Sequence, residues 1–312
     1  MHILRRSFSL LVMGFFQVNY EEYNSTGALL PKYWWLLLVT IGFFLIWLDY
    51  PGAISNKKKR IWRGAGVLLL AVMAILYKGG TPENPEWMRP HWYGILGLIG
   101  WAYLLCALAY LYAGERLSAL WGVLIFFIGF CIVDHAGWMA FLAPVRHYIW
   151  ISDSGGLPAL TMAGVVVGVY YRRQAGERRA LQSLAMIMAW AVVALVVGFT
   201  LRPMGGISKI NSTPSWILIC MGISMAVYTF LAVLVDMNGK EKWFRLLRPA
   251  GTSTLTCYLL TYLHFAIFQL VGYRLPEDWR TDIAGVGKSL LFALLIVLLT
   301  GWLEKRRIRL AI

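Results

Sequence analysis

Residues Leu201–Met221 read LRPMGGISKINSTPSWILICM, a polar stretch followed by an apolar one. Another apolar run precedes it, and each run has the roughly 20 residues that a helix needs to cross a bilayer. Gly205 and Gly206 interrupt regular structure, and Ser212 or Thr213 can cap the helix that follows. The stretch therefore predicts two membrane helices joined by a short, structured loop.

The composition is that of a membrane protein. The chain has 312 residues, of which 59% are hydrophobic and 14% are charged, whereas soluble domains carry about 25% charged residues. We expect an all-α, polytopic membrane helix bundle that forms a single transmembrane domain over residues 1–312. About ten membrane segments are predicted, at residues 7–19, 33–50, 64–77, 94–113, 117–133, 156–171, 180–200, 214–235, 251–271 and 286–303.

The loop charges predict the orientation. If the N-terminus lies in the cytoplasm, 20 of the 29 Lys and Arg residues fall in cytoplasmic segments, as the positive-inside rule requires. We therefore expect a multi-pass protein of the plasma (inner) membrane with both termini in the cytoplasm. The same asymmetry explains the net charge of +14, so no nucleic-acid partner is expected. The N-terminal residues resemble a signal peptide without a cleavage site and predict a retained helix.

Four cysteines lie in apolar runs and form no C-x-x-C pair. This pattern predicts buried thiols rather than disulfides or metal ligands. The sequence contains no metal-ligand cluster either, and we expect no metal.

Histidines are the candidate general bases, because His is the usual base near neutral pH. On the expected topology His91, His135, His147 and His264 fall at or near the outer face. His91 precedes a helix and could equally be an interfacial anchor. His135 follows an aspartate, Asp134, but adjacent residues on a helix do not face each other, so the two do not form a dyad automatically.

His264 has the most distinctive surroundings. Thr254, Tyr258 and Thr261 precede it at spacings of four, three and three, so all four share one face of a helix. An ionisable group within a membrane helix is a functional hypothesis by default. The alternative is an interhelical hydrogen bond. Thr254, Tyr258 and Thr261 are candidate substrate-binding residues. In the outer loop, Lys209, Asn211 and Ser212 are further candidates, or simply parts of a well-formed turn.

Several stretches resemble the heparan-α-glucosaminide N-acetyltransferase family, in its bacterial branch. Members of this family are polytopic transmembrane acyltransferases. The matching stretches cover most of the chain from about residue 51 onward: Gly206–Ile210, Thr213–Trp216, Gly94–Tyr103, Leu160–Val166 and Ala250–Leu260.

The resemblance implies a reaction and its substrates. Acetyl-CoA or another acyl-CoA would approach from the cytoplasm, where Arg172 and Arg173 could attract its phosphates. The alternative is that these two arginines are ordinary positive-inside residues. An amino sugar or other glycan at the outer face would accept the acyl group, with a His deprotonating the attacking amine or hydroxyl. Expected partners are membrane lipid, this acceptor and a second copy of the chain.

The chain also departs from the family pattern. Family members begin with a Ser-Leu-Asp-x-x-Arg-Gly type helix, and the loop after it supplies the catalytic histidine. Neither is found here, and Met1–Tyr20 resembles the family's third helix. We therefore expect a chain that lacks two N-terminal family helices. A transporter or channel subunit, an inactive chain and a non-catalytic membrane partner remain alternatives.

Overall fold

The computed structural model describes residues 2–52, 54–81, 83–91, 94–142, 151–174, 177–273 and 276–312. It is 76% helical, which confirms the predicted all-α class. The described residues contain one small antiparallel sheet, β1 (Gly79–Gly80) with β2 (Pro85–Glu86). The helices are α1 His2–Glu21, α2 Lys32–Trp47, α3 Asn56–Ile75, α4 Gly94–Ala113, α5 Leu117–His135, α6 Gly156–Arg173, α7 Glu177–Thr200, α8 Pro214–Ala232, α9 Arg248–Thr252, α10 Thr254–Val271 and α11 Asp282–Lys305.

Short helical turns complete the secondary structure of the described residues. A π-helical turn continues α8, and the remaining turns are 3-10 helices. They occupy Val233–Met237 (π), Ala140–Leu142, Ser152–Gly155, Lys240–Phe244 and Glu277–Trp279.

Six helices in the described part of the chain are long and apolar enough to cross a membrane. The shorter helix α2 is apolar as well. The chain therefore has the fold of a multi-pass α-helical membrane protein. The six helices are Gly94–Ala113, Leu117–His135, Arg179–Thr200, Pro214–Met237, Thr254–Val271 and Asp282–Lys305.

The structure does not support the count of about ten segments. The first, third and sixth predicted segments do form helices, α1, α3 and α6, but these carry charges that lower their mean hydropathy. Helix α1 contains Arg5 and Arg6, and α3 begins at Asn56, so that the basic run 57–60 lies inside it. The last two residues of α6 are both arginines. Four predicted segments are therefore not among the six: three belong to helices that extend into charged sequence, and the fourth, α2, is apolar but only 16 residues long.

The described chain divides into two compact units. The first unit comprises Met1–Val12 and Ile95–Lys242, and the second comprises Met13–Gly94 and Trp243–Ile312. That residues 1–312 act as a single domain stays a prediction.

In the first unit, α5, α6, α7 and α8 pack around fully buried side chains. Leu120, Met162, Ile187 and Ile217 each expose at most 1% of their surface. Helices α7 and α8 approach each other closely, because a Cβ on Gly222 would lie 2.7 Å from the carbonyl oxygen of Ala191. Small residues permit such close contacts between membrane helices.

In the second unit, α2 packs against α3 and α10. Trp35 is fully buried, and its indole Nε1 donates a hydrogen bond to the carbonyl oxygen of Met73, 2.9 Å away. The C-terminal tail lies along the end of α2. The Asp49 amide donates to the Arg309 carbonyl, and the Ala311 amide donates to the Trp47 carbonyl, each at 2.8 Å.

Candidate functional site

The loop before α8 is organised by Thr213. Its hydroxyl donates to the carbonyl oxygen of Gly206 at 2.9 Å and accepts from the amide of Ser208 at 3.0 Å. The same oxygen caps α8 by accepting from the amide of Trp216. The cap is therefore Thr213 rather than Ser212, the other residue that the sequence offered. Gly205, at a φ of +90°, takes the left-handed conformation that the turn needs.

His135, at the end of α5, contacts this loop. Its Nδ1 lies 2.9 Å from the carbonyl oxygen of Cys131, and its Nε2 lies 2.8 Å from the carbonyl oxygen of Asn211. The Cys131 thiol donates to the carbonyl oxygen of Ser212, at 3.5 Å. The last turn of α5 is thus tied to two consecutive loop carbonyls. We call His135, Cys131 and residues 211–212 the outer clamp.

The outer clamp constrains the chemistry of His135. A neutral imidazole has one N–H donor, whereas an imidazolium has two. Because both ring nitrogens face carbonyl oxygens, only the imidazolium satisfies both contacts. To act as a base, neutral His135 would keep the hydrogen bond from Nδ1–H to the carbonyl oxygen of Cys131. Its Nε2 would have to lose the contact with the carbonyl oxygen of Asn211, so that Nε2 is open to accept a proton. A hydrogen bond from Nδ1–H to a backbone carbonyl commonly fixes the tautomer in this way.

The outer clamp brings together His135, Asn211 and Ser212, all three of which were proposed from sequence. It uses the backbone of Asn211, whose side chain is exposed, and the buried Ser212 at a φ of +48°. Lys209 is exposed; its carbonyl accepts a hydrogen bond from the Ser212 hydroxyl at 3.4 Å. Cys131 was predicted to be a buried thiol but was not proposed as a site residue. Its spacing of four from His135, which places both on one helix face, is the signal that could have found it.

A cavity of about 350 Å³ lies between α6 and α8. Gly164 and Gly168 form part of its wall, and a Cβ on either would meet nothing within 4 Å. The polar groups in its lining are few and come from Cys220, Ser224 and Tyr228 on α8. Its size is within the range of about 300–1,000 Å³ for small-molecule sites.

Basic side chains lie at the C-terminal end of α6. Both Arg172 and Arg173 pair with Glu115, and Arg172 also donates to the Tyr110 hydroxyl. The hydrogen bond with Tyr110, together with the negative charge of Glu115, raises the pKa of Arg172 above its usual value. Next to them, the Tyr171 ring packs edge-to-face on Tyr228, which lines the cavity.

Arg172 and Arg173 both form ion pairs with Glu115, but neither side chain is buried. Their side chains are 63% and 41% exposed, and each guanidinium has five N–H donors. Donors therefore remain for a phosphate group.

The other predicted residues that the structure describes lie in the second unit. On α10 the Thr254 hydroxyl donates to the carbonyl of Ala250, and the Thr261 hydroxyl donates to that of Tyr258. The Tyr258 hydroxyl bonds to that of Tyr262 at 3.0 Å. Much of the predicted polar stripe thus bonds to nearby residues of the same chain segment, on α10 or the end of α9, as Ser and Thr often do.

His264 packs between aromatic rings. Its ring centroid lies 4.1 Å from that of Phe268 and 4.5 Å from that of Phe292 on α11. Its predicted roles as a base and as an interhelical hydrogen bond both stay predictions. His91 is exposed at a φ of +36°, and His147 lies outside the described residues.

Among the candidate histidines that the structure describes, His135 lies in the same unit as the loop residues, the cavity and the arginine pair. Within the part of the chain that the structure describes, no group of three His, Cys, Asp or Glu side chains could hold a metal ion. No family model, curated protein or solved structure matches this chain. The family resemblance stays a prediction.

Proposed function

We propose that the chain is a membrane acyltransferase that moves an acyl group from acyl-CoA to an amino sugar or another glycan. One observation carries the proposal: the first unit combines an exposed arginine pair, a cavity and a histidine clamp along the same helices. The cavity lining on α8 runs from Cys220 to Tyr228, about 12 Å along the helix. The arginine pair adjoins its Tyr228 end, and the clamp precedes the start of α8.

The donor would bind from the arginine end. Phosphate groups of coenzyme A are anions that the guanidinium groups of Arg172 and Arg173 can bind with paired hydrogen bonds. The apolar cavity beside Gly164 and Gly168 suits the acyl-bearing arm. Because the lining contains few polar groups, water would compete poorly with the acceptor for the thioester.

The acceptor would bind at the outer clamp. An amine that donates one hydrogen to the Asn211 carbonyl and another to His135 Nε2 would replace the present contact between these two groups. Its nitrogen attacks the thioester carbonyl carbon, a C–N bond forms and the C–S bond breaks. His135 takes the amine proton and returns it to the departing thiolate, which leaves as coenzyme A. A hydroxyl acceptor would form a C–O bond in the same way.

The same proposal includes a topology. The distribution of 20 of 29 basic residues supports two cytoplasmic termini in a plasma (inner) membrane. Two cytoplasmic termini need an even number of crossings. If α1, α2, α3 and α6 cross together with the six apolar helices, the total is ten, as the sequence predicted. Helices α1 and α3 are 20 residues long, about 30 Å.

Turnover of purified protein tests the function. With acetyl-CoA and an amino-sugar acceptor, the wild-type chain should release free coenzyme A, and the double variant R172A/R173A should require more acetyl-CoA for the same rate. K57A/K58A, which removes two exposed lysines at the start of α3, is the control for a general loss of positive charge. Ion or solute flux through the protein without thioester turnover would contradict the proposal and favour a transporter.

A further inference from the structure

The second unit contains a larger cavity, of about 620 Å³, that the proposed function does not use. Helices α2, α3, α10 and α11 and the chain segments after α2 and α11 contribute to its wall. Its lining is almost entirely aliphatic and aromatic, with Ile41, Leu48, Leu263 and Leu303 as representative members. If a methylene group takes about the 30 Å³ of a water molecule, the cavity holds on the order of 20 of them. That is enough for one acyl chain of a membrane lipid and part of a second.

The hydroxyl group of Tyr50, which lines the cavity, has a hydrogen-bond partner within the protein. The Tyr50 hydroxyl donates to the carbonyl oxygen of Leu45, at 2.7 Å. Trp62, which also lines the cavity, is 51% exposed. Tyr and Trp concentrate where a membrane meets water, because their rings are apolar at one end and polar at the other. Their presence here indicates a cavity that begins near the membrane surface.

Cationic groups flank the same cavity. The Arg63 guanidinium lies 5.7 Å from the centroid of the Tyr50 ring. Arg309 follows the lining residue Ile308, and its Nε donates to Asp49 at 3.1 Å. That bond uses one of five N–H donors of Arg309, and the side chain is 45% exposed. The rim thus offers guanidinium donors beside an apolar interior.

We propose that this cavity binds an anionic glycerophospholipid, with one acyl chain and part of the second among the aliphatic residues and the phosphate at Arg63 and Arg309. Guanidinium groups bind phosphate oxygens through paired, charge-assisted hydrogen bonds. The charge of the rim selects anionic over zwitterionic head groups. The basic run 57–60 in the first turns of α3 adds further positive charge. This site lies in the second unit and does not depend on the acyltransferase proposal.

Lipid retention and thermal stability test the site. The full chain would be purified in detergent and mixed with phosphatidylglycerol or with phosphatidylcholine of the same acyl composition. Bound lipid would be counted by native mass spectrometry, and Tm would be measured in parallel. Two variants change the site: I41W fills the cavity, and R63Q removes a rim charge. L290W is the control, because Leu290 is 68% exposed on α11 and does not line the cavity.

We expect phosphatidylglycerol to raise the Tm of the wild type and of L290W by several degrees and to remain bound to both. I41W and R63Q should lose most of the bound lipid and of the Tm shift. R63Q changes an exposed side chain, so it should still fold if I41W does not. Equal shifts with phosphatidylcholine, or with a fatty acid that has no phosphate, would overturn the proposal. A wild-type response from both I41W and R63Q would also overturn it.

Discussion

Replacement of His135 by alanine separates its structural role from its chemical role. The change removes two contacts, 2.9 Å to Cys131 O and 2.8 Å to Asn211 O. Each hydrogen bond contributes about 0.5–1.5 kcal/mol net. Because the contact with Asn211 is exposed, water can replace it, and we expect a total loss of about 1–2 kcal/mol. Such a loss lowers Tm by a few degrees.

The effect on catalysis should be much larger. A general base contributes about 10²–10⁴-fold to a rate, so H135A should lower turnover per folded molecule by about 100-fold or more. Activity and thermal unfolding would be measured on the same detergent preparation. N211A is a matched control, because it keeps the backbone carbonyl that His135 contacts and should preserve Tm.

H264A is a control that should change stability without changing turnover. It removes ring contacts with Phe268 and Phe292, each worth about 0.5–1.5 kcal/mol, and should lower stability while turnover per folded molecule stays near normal. If H264A abolishes turnover and H135A leaves it unchanged, the proton acceptor is His264 and the proposed role of the outer clamp is refuted.

Two further predictions concern the fold and the topology. W35F should lower the free energy of unfolding by about 1–3 kcal/mol, because it leaves the buried Met73 carbonyl without the indole donor. W34F changes a Trp that is 46% exposed and should alter the free energy of unfolding little. Equal effects of the two variants in thermal unfolding would argue against this packing. In a cysteine-free background, an impermeant thiol reagent applied to intact cells should label W87C and not K57C, and the reverse pattern would invert the proposed orientation.

The sequence predicted the class of fold because the apolar runs are long and the charges are few. It also predicted a cap for α8 at Ser212 or Thr213, and the structure shows that Thr213 is the cap. It failed on the number of strongly apolar helices, because hydropathy locates an apolar centre but not where the helix around it ends. In α3, helical structure extends back through the basic run 57–60.

The candidate site was predictable only in part. Residues His135 and Asn211 were both proposed, but they are 76 positions apart, and no local pattern indicates that they meet. The spacing of Gly164 and Gly168 is typical of close helix packing, yet both glycines line a cavity. Sequence spacing shows which residues share a helix face, and only the packed structure shows what that face meets.

Binding of acetyl-CoA to cavity-filled variants tests the central claim most directly. G168L places a large side chain in the cavity between α6 and α8, where a Cβ would meet nothing within 4 Å. G122L is the control, because Gly122 on α5 also has open space around its Cβ position but does not line the cavity. Both variants should fold, as judged by Tm. We expect G168L to weaken acetyl-CoA binding by at least about tenfold, or 1.4 kcal/mol, while G122L binds like the wild type. Equal affinity of G168L and wild-type protein would contradict the placement of the donor between α6 and α8.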